Sequence, residues 1–371
     1  MTLYLDHAAT TPMRPEALDA MRSVGFGNPS GIHLVARRAK DLLEDARERV
    51  AALVGAQPRE VVFTGGGTES DNLAVIGGVL AGDRRLVTSP VEHDAVLESA
   101  EFLRRIGHEV TTVSVDRWGR VDPDEVEAAS GRQPAVVSIM AANNETGVIE
   151  PVRDVVDAVR SHGTLVHTDA VQAFGSAELN VDDLGVDLMT LAAHKFGGPK
   201  GVGVLYVRQG TRLEPLVHGG GQESGLRSGT QNVPGIVGMA AAMEAAVADR
   251  ERFRADVEEA RRRFEHHLVG AVSGLTINAP ADGRLVQHSH IRIPGVRNDV
   301  LLIRLDRAGV AASAGSACQS GASDVSHVLT AMGFTPTEAR ECLRFSFGWT
   351  TAPEDGDTAA EAVIAALEGL R

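Results

Sequence analysis

Lysine is scarce in this 371-residue chain and occurs only at Lys40, Lys195 and Lys200. Lys195 sits in Ala192-Ala193-His194-Lys195-Phe196-Gly197-Gly198-Pro199-Lys200-Gly201, downstream of an apolar run that ends in an acid, Leu165-Val166-His167-Thr168-Asp169. An amine that condenses with an aldehyde and a carboxylate that faces a pyridine nitrogen are two of the three parts that pyridoxal phosphate chemistry requires; the third is an anion cup for the phosphate. Lys40 lies among Ala39, Leu42, Leu43, Ala46, Val50 and Leu53, the spacing of an amphipathic helix, and reads as a solvated flank. Lys200, in Gly-Pro-Lys-Gly, stands in a turn, where a plain turn residue is as good a reading as a chemical one. Lys195 follows the apolar run 186–193, so it is expected to emerge at the end of a buried strand, where open α/β sheets place their ligands.

The cup has its own signal in Val61-Val62-Phe63-Thr64-Gly65-Gly66-Gly67-Thr68-Glu69-Ser70-Asp71-Asn72-Leu73, a short apolar strand, a glycine run and a helix start. Glycines admit an anion to the backbone, and free N–H groups at a helix start favour negative charge. Thr68 is the expected N-cap, with Asp71 completing a pattern like a capping box. The segment lacks the Gly-Lys-Ser/Thr of a nucleotide-binding loop and the GxGxxG of a dinucleotide fold. Taken alone it fits an ordinary tight strand-to-helix turn equally well.

The elements that must hold these groups alternate. Helices are expected over 36–54, 69–80, 95–106 and 152–160, with strands at Val61, Leu86, Val110, Val136, Leu165, Leu188 and Val202. Such alternation implies an α/β fold with a mostly parallel sheet covered by helices on both faces. A long helical stretch over 234–268 then leads to a smaller α/β portion with strands near Ile277, Ile291 and Phe345 and a final helix over 353–370. The expected division is a large cofactor-binding domain over 14–250 and a small domain made of 1–13 and 251–371. No internal repeat or low-complexity linker interrupts the chain.

A net charge of −14 and the lack of a basic block argue against nucleic acid as a partner. The charge-rich run 251–263 reads as a solvated helix face. No basic-then-apolar leader and no apolar run of about 18 residues are present, so a soluble, cytoplasmic protein is expected. Two cysteines, Cys318 and Cys342, make neither a disulfide framework nor a zinc cluster. His266, His267, His288 and His290 lack metal-binding spacing, and surface or packing roles are expected for them. Cys318 lies in Ala314-Gly315-Ser316-Ala317-Cys318-Gln319-Ser320-Gly321-Ala322-Ser323, a small-residue segment expected to be exposed. On those residues alone it is open between a nucleophile and a small buried hydrophobe. Cys342, beside an apolar strand, is the better candidate for the buried role.

Together these motifs resemble, nearly end to end and in order, the group I cysteine desulfurases of the NifS/IscS type within the fold-type I pyridoxal phosphate superfamily. The residues that carry the resemblance include Tyr4-Leu5-Asp6-His7-Ala8-Ala9-Thr10-Thr11-Pro12, Gly27-Asn28-Pro29-Ser30, Gly67-Thr68-Glu69-Ser70-Asp71-Asn72, Glu92-His93 and Asn143-Asn144-Glu145-Thr146-Gly147. Further on come Asp169-Ala170-Val171-Gln172, His194-Lys195, His218-Gly219-Gly220-Gly221, Arg227-Ser228-Gly229-Thr230, Gly315-Ser316-Ala317-Cys318 and Leu343-Arg344-Phe345-Ser346.

The resemblance implies an aspartate aminotransferase-like fold and pyridoxal 5'-phosphate as cofactor, with Lys195 as its Schiff-base lysine. Asp169 is then the partner of the ring nitrogen, Gln172 the donor to the ring hydroxyl, and His93 the ring-stacking residue that moves protons. Gly67, Thr68 and His194 are implied to hold the phosphate, with Thr230 reaching in from a partner subunit, hence a homodimer. Arg344 is implied to clamp the substrate carboxylate, helped by Asn144, and Cys318 to take the sulfur of L-cysteine as a persulfide, leaving L-alanine. A protein acceptor then receives the sulfur, for iron–sulfur assembly, tRNA or DNA thiolation, or another biosynthesis. Other fold-type I activities, a transaminase or a selenocysteine lyase, share the cofactor set, and Cys318 speaks against the transaminase. A silent scaffold would be expected to have lost the lysine or the cysteine, and both are present.

Two departures carry expectations. Where the family usually has a serine two positions before His-Lys, this chain has Ala192, which removes a hydroxyl donor to the phosphate unless water or a neighbour such as Thr190 substitutes. The sequence ends at Arg371, whereas longer members of the group carry a C-terminal extension that helps dock a scaffold, so direct delivery to a dedicated acceptor is expected.

Overall fold

The computed structural model describes residues 2–131, 133–160, 163–315 and 325–370. Its centre is built from short runs that are apolar and almost wholly buried, such as Val61–Thr64, Leu188–Ala192 and Gly203–Val207. Runs of this kind, without in-and-out alternation, belong in a sheet covered on both faces. Seven strands form it in the spatial order Val61–Thr64, Gly203–Val207, Leu188–Ala192, Leu165–Asp169, Ala135–Ser138, Arg85–Thr88, Val110–Thr112. Every neighbouring pair is parallel except the two made by Gly203–Val207. The carboxyl ends of the first, third and fourth strands therefore lie at one edge, which brings Thr64, Ala192 and Asp169 together.

The helices follow from their apolar stripes. Leu34–Val54 buries Ala36, Ala39, Leu43, Ala46 and Val50 at helical spacing and packs on Val233–Ala248, while Lys40 stays exposed on its outer face. The expected single helix over 234–268 is two, Val233–Ala248 and Arg250–Ala271, which meet at Asp249. The first is apolar nearly all round and buried, whereas the second is charged with only a stripe at Val257, Ala260, Phe264 and Leu268 inward. They need different surroundings. Asp249 is held at the junction by Arg14 at 3.5 Å and Arg252 at 2.7 Å.

A second core gathers Leu5, Phe264, Ile291, Leu301, Leu343, Phe345 and others around an antiparallel sheet of Cys342–Ser346, His288–Arg292 and Thr276–Ile277. The chain start belongs to this core, because Leu3–Tyr4 pairs with Val310–Ala311. From there the backbone is sewn first to the small sheet and then to the large one. His7 N–H donates to Ser346 O at 3.3 Å, Thr11 N–H to His194 O at 3.1 Å and Arg14 N–H to Gly197 O at 2.8 Å. Among the described residues no helix is long and apolar enough to cross a membrane.

Candidate active site

The glycine run leaves the edge strand Val61–Thr64 and opens the helix Gly67–Asn72, which continues through one π-helical turn, Leu73–Gly77, into Gly78–Leu80. The expected cap is corrected here. Gly66 is the N-cap, at φ +148°, a backbone that only glycine adopts without strain, and Thr68 lies in the first turn. Gly65 N–H is met by Glu69 Oε2 at 2.9 Å, and Glu69 is itself held by Arg227 at 2.8 Å. Asp71 is turned away from the helix start and buried. The helix start faces a cavity of about 880 Å3 lined by Gly65, Gly66, Gly67, Thr68, His194 and Lys200.

Lys195 ends the 3-10 turn Ala193–Lys195 that follows the strand Leu188–Ala192, so a buried strand delivers it to the sheet edge. Its Nζ donates to Ala8 O and, at 3.1 Å, to Ala9 O. Gln172 Nε2 reaches the same Ala8 carbonyl at 3.0 Å. Lys195 and Gln172 line a second, smaller cavity of about 40 Å3 on the other side of this backbone. Ala8 lines the small cavity and Ala9 and Thr10 the large one, so the segment borders both.

Asp169 ends its strand, 6 % exposed, with one oxygen accepting Val171 N–H at 2.9 Å. Burial pushes its carboxyl up, and His93, the Val171 amide and Lys195 pull it back toward ionisation. His93 is the N-cap of the helix Asp94–Arg105, its Nδ1 accepting from Ala95 N–H at 3.1 Å, which leaves Nε2 to carry the proton. His194 Nδ1 pairs with Thr10 Oγ1 at 3.1 Å, and burial beside Lys195 and Lys200 pushes the imidazole down to about 4.

Behind Asp169 lies a polar group that residue spacing does not signal. Asp71 Oδ1 lies 3.6 Å from His167 Nε2, and His167 is bonded to Ser138 Oγ at 2.9 Å and Thr190 Oγ1 at 3.0 Å, all fully buried. Burial and the neighbouring Asp169 push the Asp71 carboxyl up, and burial pushes His167 down to about 3. Both shifts favour the neutral forms, as burial without a counter-ion does. The group also occupies the Thr190 hydroxyl, so Thr190 does not substitute for the one missing at Ala192. A Cβ on Gly67 would lie 3.4 Å from Ala192 Cβ and 3.9 Å from the Thr190 methyl, so the strand offers the cup only carbon there.

Arg344 reaches the same region from the small sheet. It is 2 % exposed; Nη1 donates to Asn144 O at 2.8 Å and Gly315 O at 3.3 Å, and Nη2 to Asp6 Oδ1 at 2.8 Å. Asn144 Oδ1 and Arg344 Nε are buried without a partner among the described residues. Beside them Glu145, 1 % exposed, accepts from Ser326 Oγ at 2.7 Å. The N-terminal residues Asp6, Ala8, Ala9 and Thr10 thus touch Arg344, Gln172, Lys195 and His194. Their small side chains at Ala8 and Ala9 were the available signal of a close backbone approach.

Thr230 is exposed and lines neither cavity, so the structure does not bring it to the site of its own chain. Cys318 lies outside the described residues. Cys342 is fully buried, its Sγ accepting from Asn278 Nδ2 at 3.4 Å and donating to Glu338 O at 3.3 Å, and burial pushes the thiol up to about 12. His288 and His290 are fully buried at about 3, in packing roles, and no group of potential metal ligands occurs among the described residues.

The residues present suit pyridoxal phosphate: an amine and a carboxyl at neighbouring strand ends, and a cradle that only glycine leaves open. A Cβ on Gly67 would come within 3.2 Å of Val171 Cγ2 and fill that cradle. Comparison with known proteins gives the same picture. The aminotransferase class-V family matches residues 3–358. The cysteine desulfurase IscS of Dictyoglomus turgidum is 42% identical over 100% of this chain and 95% of its own length. A solved NifS-like protein superposes with a TM-score of 0.93 at 38% identity, covering 99% of this chain and 100% of that one. SspA, solved in complex with cysteine, superposes with a TM-score of 0.81 at 35% identity, covering 93% of this chain and 99% of that one. This chain belongs to the aminotransferase class-V family, among its cysteine desulfurases of the IscS/NifS type.

Proposed function

We propose that the protein is a pyridoxal phosphate-dependent cysteine desulfurase that converts L-cysteine to L-alanine and passes the sulfur, as a persulfide of Cys318, to a protein acceptor. The observation that carries this reading is the convergence of Lys195, Asp169, His93 and the Gly65–Thr68 turn on one edge of the sheet, with Arg344 arriving from the small sheet. When bound, the cofactor supplies an electron sink that lets bonds at the substrate carbons break. Lys195 would hold the aldehyde and, as a free amine, would move the Cα proton of the substrate. Asp169 would face the ring nitrogen and favour its protonated form. Gln172 would orient the ring hydroxyl, Gly67, Thr68 and His194 would hold the phosphate, and His93 would move a proton at Nε2. Arg344 and Asn144 hold the substrate carboxylate. Cys318, as thiolate, forms the new S–S bond while the substrate C–S bond breaks, and the electron pair goes to the carbon side, which leaves as alanine after protonation. Cys342 is unfit for that step, since a thiol near 12 carries almost no thiolate at neutral pH.

The proposed division of labour assigns residues 14–250 to a large cofactor-binding domain and 1–13 with 251–371 to a small domain. The two largest apolar clusters, one around the seven-stranded sheet and one gathering Leu5 with residues 257–367, support it, and a smaller cluster of Val91 with Val328, Leu329, Met332, Ala339 and Cys342 joins the two parts. A homodimer, with Thr230 completing the partner's cup, is supported by the exposure of Thr230 and of the large apolar Phe26 and Ile32. A persulfide carrier needs a reducing compartment, which favours the cytoplasm. The acceptor is a protein thiol of an iron–sulfur scaffold or a thiolation enzyme. The test is product analysis with L-cysteine as sole substrate: alanine and sulfide are expected in equal amounts under excess thiol, without a keto acid. Alanine appearing only when a keto acid is added would make the protein a transaminase.

A further inference from the structure

Arg344 has more hydrogen-bond donors than its backbone partners use. Of the five N–H groups of a guanidinium, two on Nη1 go to the carbonyls of Asn144 and Gly315, and one on Nη2 goes to Asp6 Oδ1. Nε is buried and without a partner among the described residues. Nε and the second hydrogen of Nη2 are thus the donors left over, and a carboxylate already sits on Nη2 beside them. Among the described residues Asp6 is the one acid that makes an ion pair with Arg344, at 2.8 Å, with the arginine side chain 2 % and the aspartate 22 % exposed. Beside Arg344 burial pushes His288 and His290 down to about 3, and burial pushes the Glu145 carboxyl up while Ser326, His327 and Arg344 pull it back.

Asp6 is fixed by its backbone rather than by Arg344. It forms a β-bridge with Ser346, Ser346 N–H donates to Leu5 O at 2.7 Å, and Tyr4 Oη donates to Asp6 O at 3.1 Å. The backbone therefore holds the carboxylate within reach of the guanidinium. We propose that Asp6 sets the affinity of the site for carboxylates: as a built-in counter-ion it keeps Arg344 neutralised, so that substrate and product carboxylates meet a closed ion pair rather than a bare cation and leave readily. This rests on the reading of Arg344 as the carboxylate clamp. A buried cation must be compensated, and a ligand carboxylate that replaced the lost counter-ion would be held more tightly.

The prediction is therefore a gain of affinity, which damage to the fold does not produce. Asp6→Asn keeps an oxygen to accept from Nη2 and removes the charge. In the pyridoxal phosphate-loaded enzyme, titration of the cofactor absorbance with L-alanine should show binding tightened about tenfold. L-alaninamide, which lacks the carboxylate, should bind as it does to the unmodified protein. Asp6→Ser, equally uncharged, is read in the same way if Asp6→Asn fails to accumulate. Unchanged or weakened alanine binding, or equal tightening of alanine and alaninamide, would overturn the proposal. Arg344→Gln separates it from the reading beneath: weaker alanine binding in that variant with no change in Asp6→Asn sinks the Asp6 proposal alone, whereas unaltered alanine binding in Arg344→Gln removes the clamp itself.

Discussion

Ala192→Ser should tighten the hold on the cofactor, and the structure says by how much and why. Ala192 is the last residue of its strand, 2 % exposed, with its Cβ beside the Gly67 cradle. Three nearby hydroxyls that could stand in for the missing one are committed: Thr190 to His167 at 3.0 Å, Thr10 to His194 at 3.1 Å, and Thr64 to Ser70 at 2.7 Å. A hydrogen bond to a charged group is worth roughly 1.5–3 kcal/mol, so the dissociation constant for pyridoxal phosphate should fall about tenfold or more. Without the cofactor the new hydroxyl is buried with no phosphate to meet and costs about 1–2 kcal/mol. The variant should accordingly unfold at lower temperature than the unmodified protein when cofactor-free and at higher temperature when loaded. Equilibrium dialysis and thermal unfolding of both forms measure the two quantities. An unchanged dissociation constant with no reversal in the unfolding order would refute the argument, showing that water or Thr68 already fills the cup.

Borohydride reduction of the loaded protein should fix the cofactor to the peptide containing Lys195; label on Lys200, which lines the large cavity, would contradict the assignment. Cys342→Ser should leave sulfur transfer intact, and the Cys342 thiol of the folded protein should resist alkylation at pH 8, where a thiol near 12 is protonated. Glu150, raised by burial from 4.5 to about 8, holds a proton when folded that the unfolded chain has lost. Its stabilisation is complete below pH 4.5 and disappears as pH rises through 8, at up to about 1.4 kcal/mol per pH unit. Glu150→Gln should therefore gain stability relative to the unmodified protein as pH rises from 5 to 8 in denaturant titrations, and parallel curves over that range would show the carboxyl ionised throughout. His167, His288 and His290, lowered from 6.5 to about 3, act at the other end. Their stabilisation is complete above pH 6.5 and is lost toward pH 3, so unfolding should sharpen in acid, and an acid limb that stays flat would contradict it.

The sheet was legible because burial on both faces demands continuous apolar runs, and the runs at Val61, Leu165 and Leu188 carry no other reading. Lys195 was legible from lysine scarcity and its place after such a run. Asp71 was not: three residues after Thr68 it matches a capping pattern, and only the packing of the helix against Ser138, His167 and Thr190 turns it inward. The break at Asp249 was hidden because both flanking segments keep helical periodicity, while the difference that separates them, an apolar surround against a solvated one, is tertiary. Asp6 stood in a quoted motif without a role, since its partner Arg344 lies 338 residues away and no spacing rule spans that distance.

The central claim is that Cys318 accepts the sulfur that Lys195 and its neighbours free from cysteine. Peptide mass spectrometry after a single turnover of the loaded enzyme with L-cysteine, in the absence of reducing thiol, tests it most directly. One added sulfur atom on the Cys318 peptide, matched by one alanine, is the predicted result. Alanine formed with the Cys318 peptide unmodified, or persistence of that alanine in Cys318→Ser, would contradict the account.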